Sequence, residues 1–203
     1  MEALARAAGR DVSRETFDKM ATFVELLKTG ASGQNLVASS TLDALWERHI
    51  FDSAQLVRFE PTPAASWLDI GSGAGLPGIV IALLVQGPVT LIEPRRLRAD
   101  FLRNTAKALS LSSRVTVRAA KVERIAGRFD VITARAVASL SRLLEISAHL
   151  STRNTAWVLP KGQSARTELA EAQRAWHGVF HVERSVTDPE SYIVVASGVG
   201  KKR

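Results

Sequence analysis

Apolar residues recur at helical spacing in the first third of the chain and in short unbroken runs after it. Phe17, Met20, Ala21, Val24 and Leu27 share one face of a helix, which Phe23 and Leu26 widen. Gly30 is placed to end it. Residues 31–40 are polar, contain Gly33, Gln34 and Asn35, and read as a loop. A second helix fits residues 41–59, capped by Ser40 or Thr41. Its apolar side carries Leu42, Leu45, Trp46, His49, Ile50 and Leu56. Pro61-Thr62-Pro63 breaks it.

Beyond that break, strands and helices alternate. Strands are expected in the apolar run from Trp67 that stops at Asp69 and at residues 88–93, 114–118, 129–133 and 156–159. Helices are expected from Pro77, over 95–109 with Leu97, Phe101, Leu102 and Leu109 inward, over 140–150 after Ser139, and over 164–176. Leu169, Ala172 and Trp176 form the apolar side of the last helix. Such alternation predicts a parallel sheet wrapped by helices through right-handed crossovers. Residues 179–186 and 192–196 form two closing strands with no helix between them, so they are expected to pair antiparallel. Residues 200–203 read as a frayed basic tail. The whole is expected to be one compact unit, a helical extension over 1–62 leading into an α/β domain over 63–203, and a monomer.

Composition narrows the function classes. The 203 residues are 46% hydrophobic and 23% charged, ordinary for a globular protein. There is no apolar run of about twenty residues and no apolar signal-peptide core, so a cytoplasmic protein without a membrane partner is expected. With no cysteine there is no thiolate nucleophile or thiolate metal site. His49, His149, His177 and His181 show no ligand spacing, and no metal is expected. The charge is −2 over residues 1–60, +4 over 61–120 and +5 over 121–203. A basic surface of this kind suits a polyanion such as nucleic acid, or is simply a soluble surface.

The chemistry should sit at the C-terminal ends of the parallel strands. There, Asp69 is followed by Gly71, Gly73, Gly75 and Leu76, a G-x-G-x-G spacing. The dinucleotide fingerprint needs glycine where Leu76 stands, and no Lys-Ser/Thr pair follows to make a P-loop. The loop looks like the cofactor loop of S-adenosylmethionine-dependent methyltransferases. Asp69 orders this loop or receives the methionine ammonium through water. Glu93 ends the next strand at the distance where an acid meets ribose hydroxyls, or is a solvated strand-end acid. Arg135, at the fourth strand end, can hold a guanine edge or a phosphate, or pair with a helix-borne acid. His49 reads as a partly buried histidine rather than a catalytic one. Trp46 and Phe51 read as packed inside rather than as base-stacking platforms.

Four segments are more specific. They are Trp46-Glu47-Arg48-His49-Ile50-Phe51-Asp52-Ser53, the loop from Gly71 to Gly78, Thr133-Ala134-Arg135-Ala136-Val137-Ala138-Ser139-Leu140, and Lys161-Gly162-Gln163. In this order they resemble the glucose-inhibited division protein B family, small-subunit ribosomal RNA methyltransferases designated G. The resemblance runs from about Asn35 to Ser197. It implies a class I S-adenosylmethionine-dependent methyltransferase fold, Rossmann-like, with a mostly parallel seven-stranded sheet and an antiparallel last strand. It implies methyl transfer from S-adenosylmethionine to N7 of a guanine in 16S rRNA, free or in the small ribosomal subunit. It places Gly71 and Leu76 in the cofactor loop, Val122 and Glu123 beside the adenine, Arg135 near cofactor and substrate, and Lys161 facing RNA. Val37, Ala134 and Pro160 depart from the family's frequent threonine, serine and leucine.

Guanine N7 carries an in-plane lone pair, so its attack on the sulfonium methyl needs alignment and no general base. The Asp/Asn-Pro-Pro-aromatic run typical of exocyclic-amine methyltransferases is replaced here by Thr133-Ala134-Arg135-Ala136. Two other classes share features with the chain. A nicotinamide-dependent oxidoreductase shares the strand-loop-helix and the ribose acid, but Leu76 opposes it. A non-catalytic RNA-binding module on the same fold would not need an intact glycine loop.

Overall fold

A computed structural model describes the backbone of residues 1–34 and 44–202, with side chains for residues 1–30 and 44–202. The cap at Ser40 or Thr41, Leu42, Asn35 and Val37 lie outside the described residues.

The N-terminal segment is helical, as its periodicity predicts. Helix α1 (Glu2–Ala8) ends at Gly9, whose left-handed backbone (φ 64°) closes the last turn. Helix α2 (Arg14–Gln34) runs through Gly30 instead of stopping there, and takes in the first residues of the expected polar loop. Glycine ends a helix only where it turns left-handed, and Gly30 does not. The second helical stretch changes pitch twice. It passes from a π-helical turn (Trp46–Phe51) through α3 (Asp52–Ala54) to a 3-10 turn (Gln55–Phe59). These changes keep Leu45, Ile50, Ala54, Leu56 and Val57 all buried. Trp46 stacks on Phe17 at 5.4 Å and tilts against Phe51, so both aromatic residues pack inside.

Among the described residues the sheet has seven strands: β1 (Trp67–Ile70), β2 (Val89–Ile92), β3 (Val115–Arg118), β4 (Val131–Ala134), β5 (Ala156–Pro160), β6 (Trp176–Arg184) and β7 (Tyr192–Lys201). Their order is β3-β2-β1-β4-β5-β7-β6. The first five are parallel, and β7 lies antiparallel between β5 and β6. Helices α4 (Gly78–Leu84), α5 (Arg96–Ala108), α6 (Leu140–Ser147) and α7 (Ala165–Ala175) provide the crossovers. Alternate residues feed two cores. Trp67 and Leu91 pack with Leu4, Phe23 and Leu27 of the N-terminal helices, and Leu68 and Ile132 pack with Leu143 and Ala172 of α6 and α7. No helix among the described residues is long and apolar enough to cross a membrane.

Three details differ from the expected pattern. Leu97 is 69% exposed, because α5 buries the stripe Ala99, Leu102 and Ala106 and leaves its first turn outside. Trp176 opens β6 rather than closing the helix. Gly200 and Lys201 are not frayed: they pair with His177 and Trp176, and Lys202 N donates to Ala175 O at 2.8 Å.

Candidate functional site

The sheet order reverses between β1 and β4, and the crevice at their C-terminal ends is where ligands of such sheets bind. The loop leaving β1 is fastened at both ends. Ser72 N donates to Ile92 O at 2.9 Å, Ser72 Oγ donates to Asp69 O, and Gly78 N donates to Asp69 Oδ2 at 3.1 Å. Asp69 thus makes the loop-ordering contacts open to it. Its carboxyl is fully buried, and Oδ1 has no partner among the described residues. Burial pushes its pKa up to about 7, against hydrogen bonds from Ser72 and Gly78 and the Arg135 charge. Gly71 has φ +71°, and a Cβ there would stand 2.6 Å from Val137 Cγ2. Its lack of a side chain keeps the loop against the segment after β4.

Glu93 is not a solvated strand-end acid. It is 4% exposed, with Oε2 accepting from Gly73 N at 3.0 Å and Oε1 accepting from Arg95 N at 2.8 Å. Each oxygen keeps a second lone pair for a hydroxyl donor. Glu93 lines a cleft of about 410 Å³ with Gly71, Val122 and Glu123. Arg98, Ile146 and Val137 also line it, and the sequence marked only Val137, as part of a motif. Of the remaining expected cofactor residues, Asp69, Gly73, Gly75 and Leu76 shape the loop without lining the cleft. Leu76 is 7% exposed and packs into the core.

Arg135 lines a second pocket of about 360 Å³, with Asp52, Pro160, Lys161 and Tyr192. Ala136 lines both cavities and holds a left-handed backbone (φ 55°), unusual for a residue with a Cβ. Such strain persists only where the surroundings impose it, and it clusters at ligand sites. The Arg135 guanidinium pairs with a helix-borne acid: Nη1 is 3.4 Å from Asp52 Oδ2, and Nη2 is 3.2 Å from His49 Nδ1. Asp52 was unmarked in the sequence except as part of a motif. The available signal was its i, i+3 offset from His49.

Lys161, expected to face RNA, lines the second pocket but is tied to the protein. Its side chain is 8% exposed, and Nζ donates to Ala138 O at 2.7 Å and pairs with Glu168 Oε2 at 3.0 Å. Two internal acceptors hold the ammonium away from solvent. No cluster of three histidine or acidic side chains suited to a metal occurs among the described residues.

Residues 16–190 match the protein family described as rRNA small subunit methyltransferase G. A ribosomal RNA small subunit methyltransferase G of Zymomonas mobilis subsp. mobilis is 46% identical over 201 residues, covering 95% of this chain and 90% of that one. The protein of that name in Rhizorhabdus wittichii is 45% identical, covering 98% and 92%. Among solved structures, the O-methyltransferase from Bacillus cereus in complex with SAH superposes with a TM-score of 0.59 at 15% identity, covering 87% of this chain and 90% of that one. That likeness gives the fold, the class I methyltransferase fold, and the family match sets aside the oxidoreductase alternative. The chain belongs to the rRNA small subunit methyltransferase G family.

Proposed function

We propose that the protein transfers a methyl group from S-adenosylmethionine to N7 of a guanine in 16S rRNA, as a cytoplasmic monomer acting on the small ribosomal subunit or its RNA. The observation that carries this reading is the pair of cavities sharing Ala136 as a wall. One is edged by Glu93 and the glycine loop, the other by Arg135. The residues present fit the cofactor: Glu93 for the ribose hydroxyls, Gly71 for close backbone approach in a loop shaped by Gly73, Gly75 and Leu76, Val122 and Glu123 for the adenine. Asp69, buried and off the cleft wall, holds the loop in the shape the cofactor would meet. The cofactor supplies an electrophilic sulfonium methyl. Arg135 orients the base in the second pocket through its planar donor fork. With the cofactor bound, N7 would bond to the methyl carbon through its own lone pair as the sulfur–methyl bond breaks and S-adenosylhomocysteine leaves, so alignment is the chain's main contribution. Residues 1–62 act as a helical extension to the 63–203 methyltransferase unit.

The test is transfer from labelled S-adenosylmethionine to small-subunit particles and rRNA lacking the modification, followed by nucleoside analysis. Labelled 7-methylguanosine is expected. Label on another nucleoside would overturn the N7 assignment, and RNA binding without transfer would favour the non-catalytic alternative.

A further inference from the structure

Asp52 stands where three distant parts of the chain meet. Its Oδ1 accepts from Gln55 Nε2 at 2.8 Å and from Thr187 Oγ1 at 3.1 Å, while Oδ2 faces Arg135 Nη1 at 3.4 Å. Gln55 is 1% exposed and clamped in turn. Its Nε2 donates to Ser185 Oγ at 2.9 Å, and its Oε1 accepts from Val186 N at 2.8 Å. Ser185, Val186 and Thr187 belong to the connection between β6 and β7. Asp52 and Gln55 belong to the N-terminal helical segment, and Arg135 to the end of β4. On the far side of the guanidinium lies His49 Nδ1. A guanidinium has only donors, so this nitrogen accepts and the proton of the neutral ring sits on Nε2. Burial, then the Arg135 and Arg48 charges against that of Asp52, hold the His49 pKa below its ordinary value and favour that form.

A free arginine samples many rotamers, and a group that must meet a base edge gains from being fixed beforehand. We propose that Asp52 is a positioning residue, held by Thr187 and Gln55, that fixes the Arg135 guanidinium in the wall of the second pocket and so makes methyl transfer depend on the β6–β7 connection. The proposal rests on the reading of Arg135 as the residue that orients the substrate base.

The experiment compares Asp52→Asn, Arg135→Ala and the double variant, with Arg135 side-chain NMR on the single Asp52 variant. Asp52→Asn leaves an acceptor for Thr187 and removes the charge facing Arg135. Its kcat is expected to fall about 10- to 100-fold, the scale of a 1 Å misplacement. S-adenosylhomocysteine affinity and melting temperature should stay near wild type. In the Arg135→Ala background the same change should alter kcat by less than about twofold. Losses that multiply in the double variant would overturn the proposal. The Arg135 Nη signals should show slow rotation in wild type and release in Asp52→Asn, and free rotation in wild type would also overturn it. Restrained Nη groups in a protein that methylates no RNA would overturn the functional reading while leaving the positioning role standing. If Asp52→Asn folds poorly, Thr187→Val carries the same measurements, with a smaller kcat loss expected and an unchanged kcat counting against the proposal.

Discussion

Lys161 at the end of β5 and Glu168 in α7 form an ion pair at 3.0 Å that also fixes the start of α6, because the same Glu168 Oε2 accepts from Leu140 N at 2.7 Å. With Lys161 Nζ on Ala138 O, the pair fastens both sides of the segment that carries Ala136 and Val137 between the two cavities. Lys161→Ala removes the cation and leaves Glu168 and Ala138 O short of a partner. A stability loss of about 2–3 kcal/mol in urea unfolding is expected. RNA affinity should keep its salt dependence. A phosphate-contacting lysine would instead lower the slope of log K against log salt by about 1.

Glu168, part-buried, and Asp69, fully buried, give opposite pH dependences. Burial alone would raise the Glu168 pKa, but hydrogen bonds from Ser164, Lys161 and Leu140 and the Lys161 charge outweigh it and hold it below the ordinary value. Its stabilisation is present at neutral pH and is lost as pH falls through the carboxylate range. Asp69 runs the other way. Its folded pKa of about 7 lies above the ordinary 3.8, so between those values the native state binds a proton the unfolded chain has released. Stability therefore declines as pH rises from about 4 to 7, by a total on the order of 4 kcal/mol. Asp69→Asn should remove that decline. Urea unfolding of wild type and variant at pH 5 and pH 8 checks it: the variant should gain on wild type at the higher pH.

Two glycines of the loop should fail differently when given a methyl group. At Gly71 the added Cβ meets Val137, which is 40% exposed and free to move, so the cost is mainly the left-handed backbone, about 1–2 kcal/mol. At Gly78 it would strike Leu91 Cδ2 and come within 2.5 Å of Asp69 Oδ2, both buried and fixed. Gly71→Ala is expected to fold and to bind S-adenosylhomocysteine at least about 10-fold more weakly, since the loop loses its seat. Gly78→Ala is expected to lose about 3 kcal/mol or more in thermal unfolding. Calorimetry of both variants, with and without ligand, separates the two effects.

Much of the sheet was legible because parallel strands covered on both faces are short, mostly apolar runs closed by turn residues, as Trp67 to Ile70 and Val89 to Ile92 are. The position of Glu93 was legible from its place after such a run. Its two backbone donors were not, because they depend on how the glycine loop folds back. Directions of long side chains were the weak point. Lys161 and Arg135 sit at equivalent strand ends, but one turns inward to Glu168 and the other reaches across to Asp52, 83 residues away. Helical spacing also could not fix the first turn of α5, where Leu97 lies two residues before the buried stripe begins at Ala99. Periodicity describes a face, and which end of that face is covered depends on packing against distant elements.

Glu93 gives the sharpest test of the first cavity, because its carboxylate serves the fold and the proposed cofactor together. Both oxygens accept from backbone N–H groups, Gly73 on one side and Arg95 on the other. A glutamine can supply only one acceptor oxygen. Its NH2 would face one of those donors, so one backbone contact is lost and the loop or the start of α5 must shift. Charge-assisted hydrogen bonds of this kind contribute about 1.5–3 kcal/mol each, so Glu93→Gln should lower the melting temperature even without ligand. Its affinity for S-adenosylhomocysteine should fall further than that of Gly71→Ala, because the ribose acceptor and the loop anchor are disturbed at once. Glu93→Asp keeps the charge and shortens the reach, and should recover part of the stability but little of the affinity. Isothermal titration and thermal unfolding of the three variants check this ordering. Full affinity in Glu93→Gln would mean that the carboxylate only braces the loop and that the ribose is held elsewhere in the cleft.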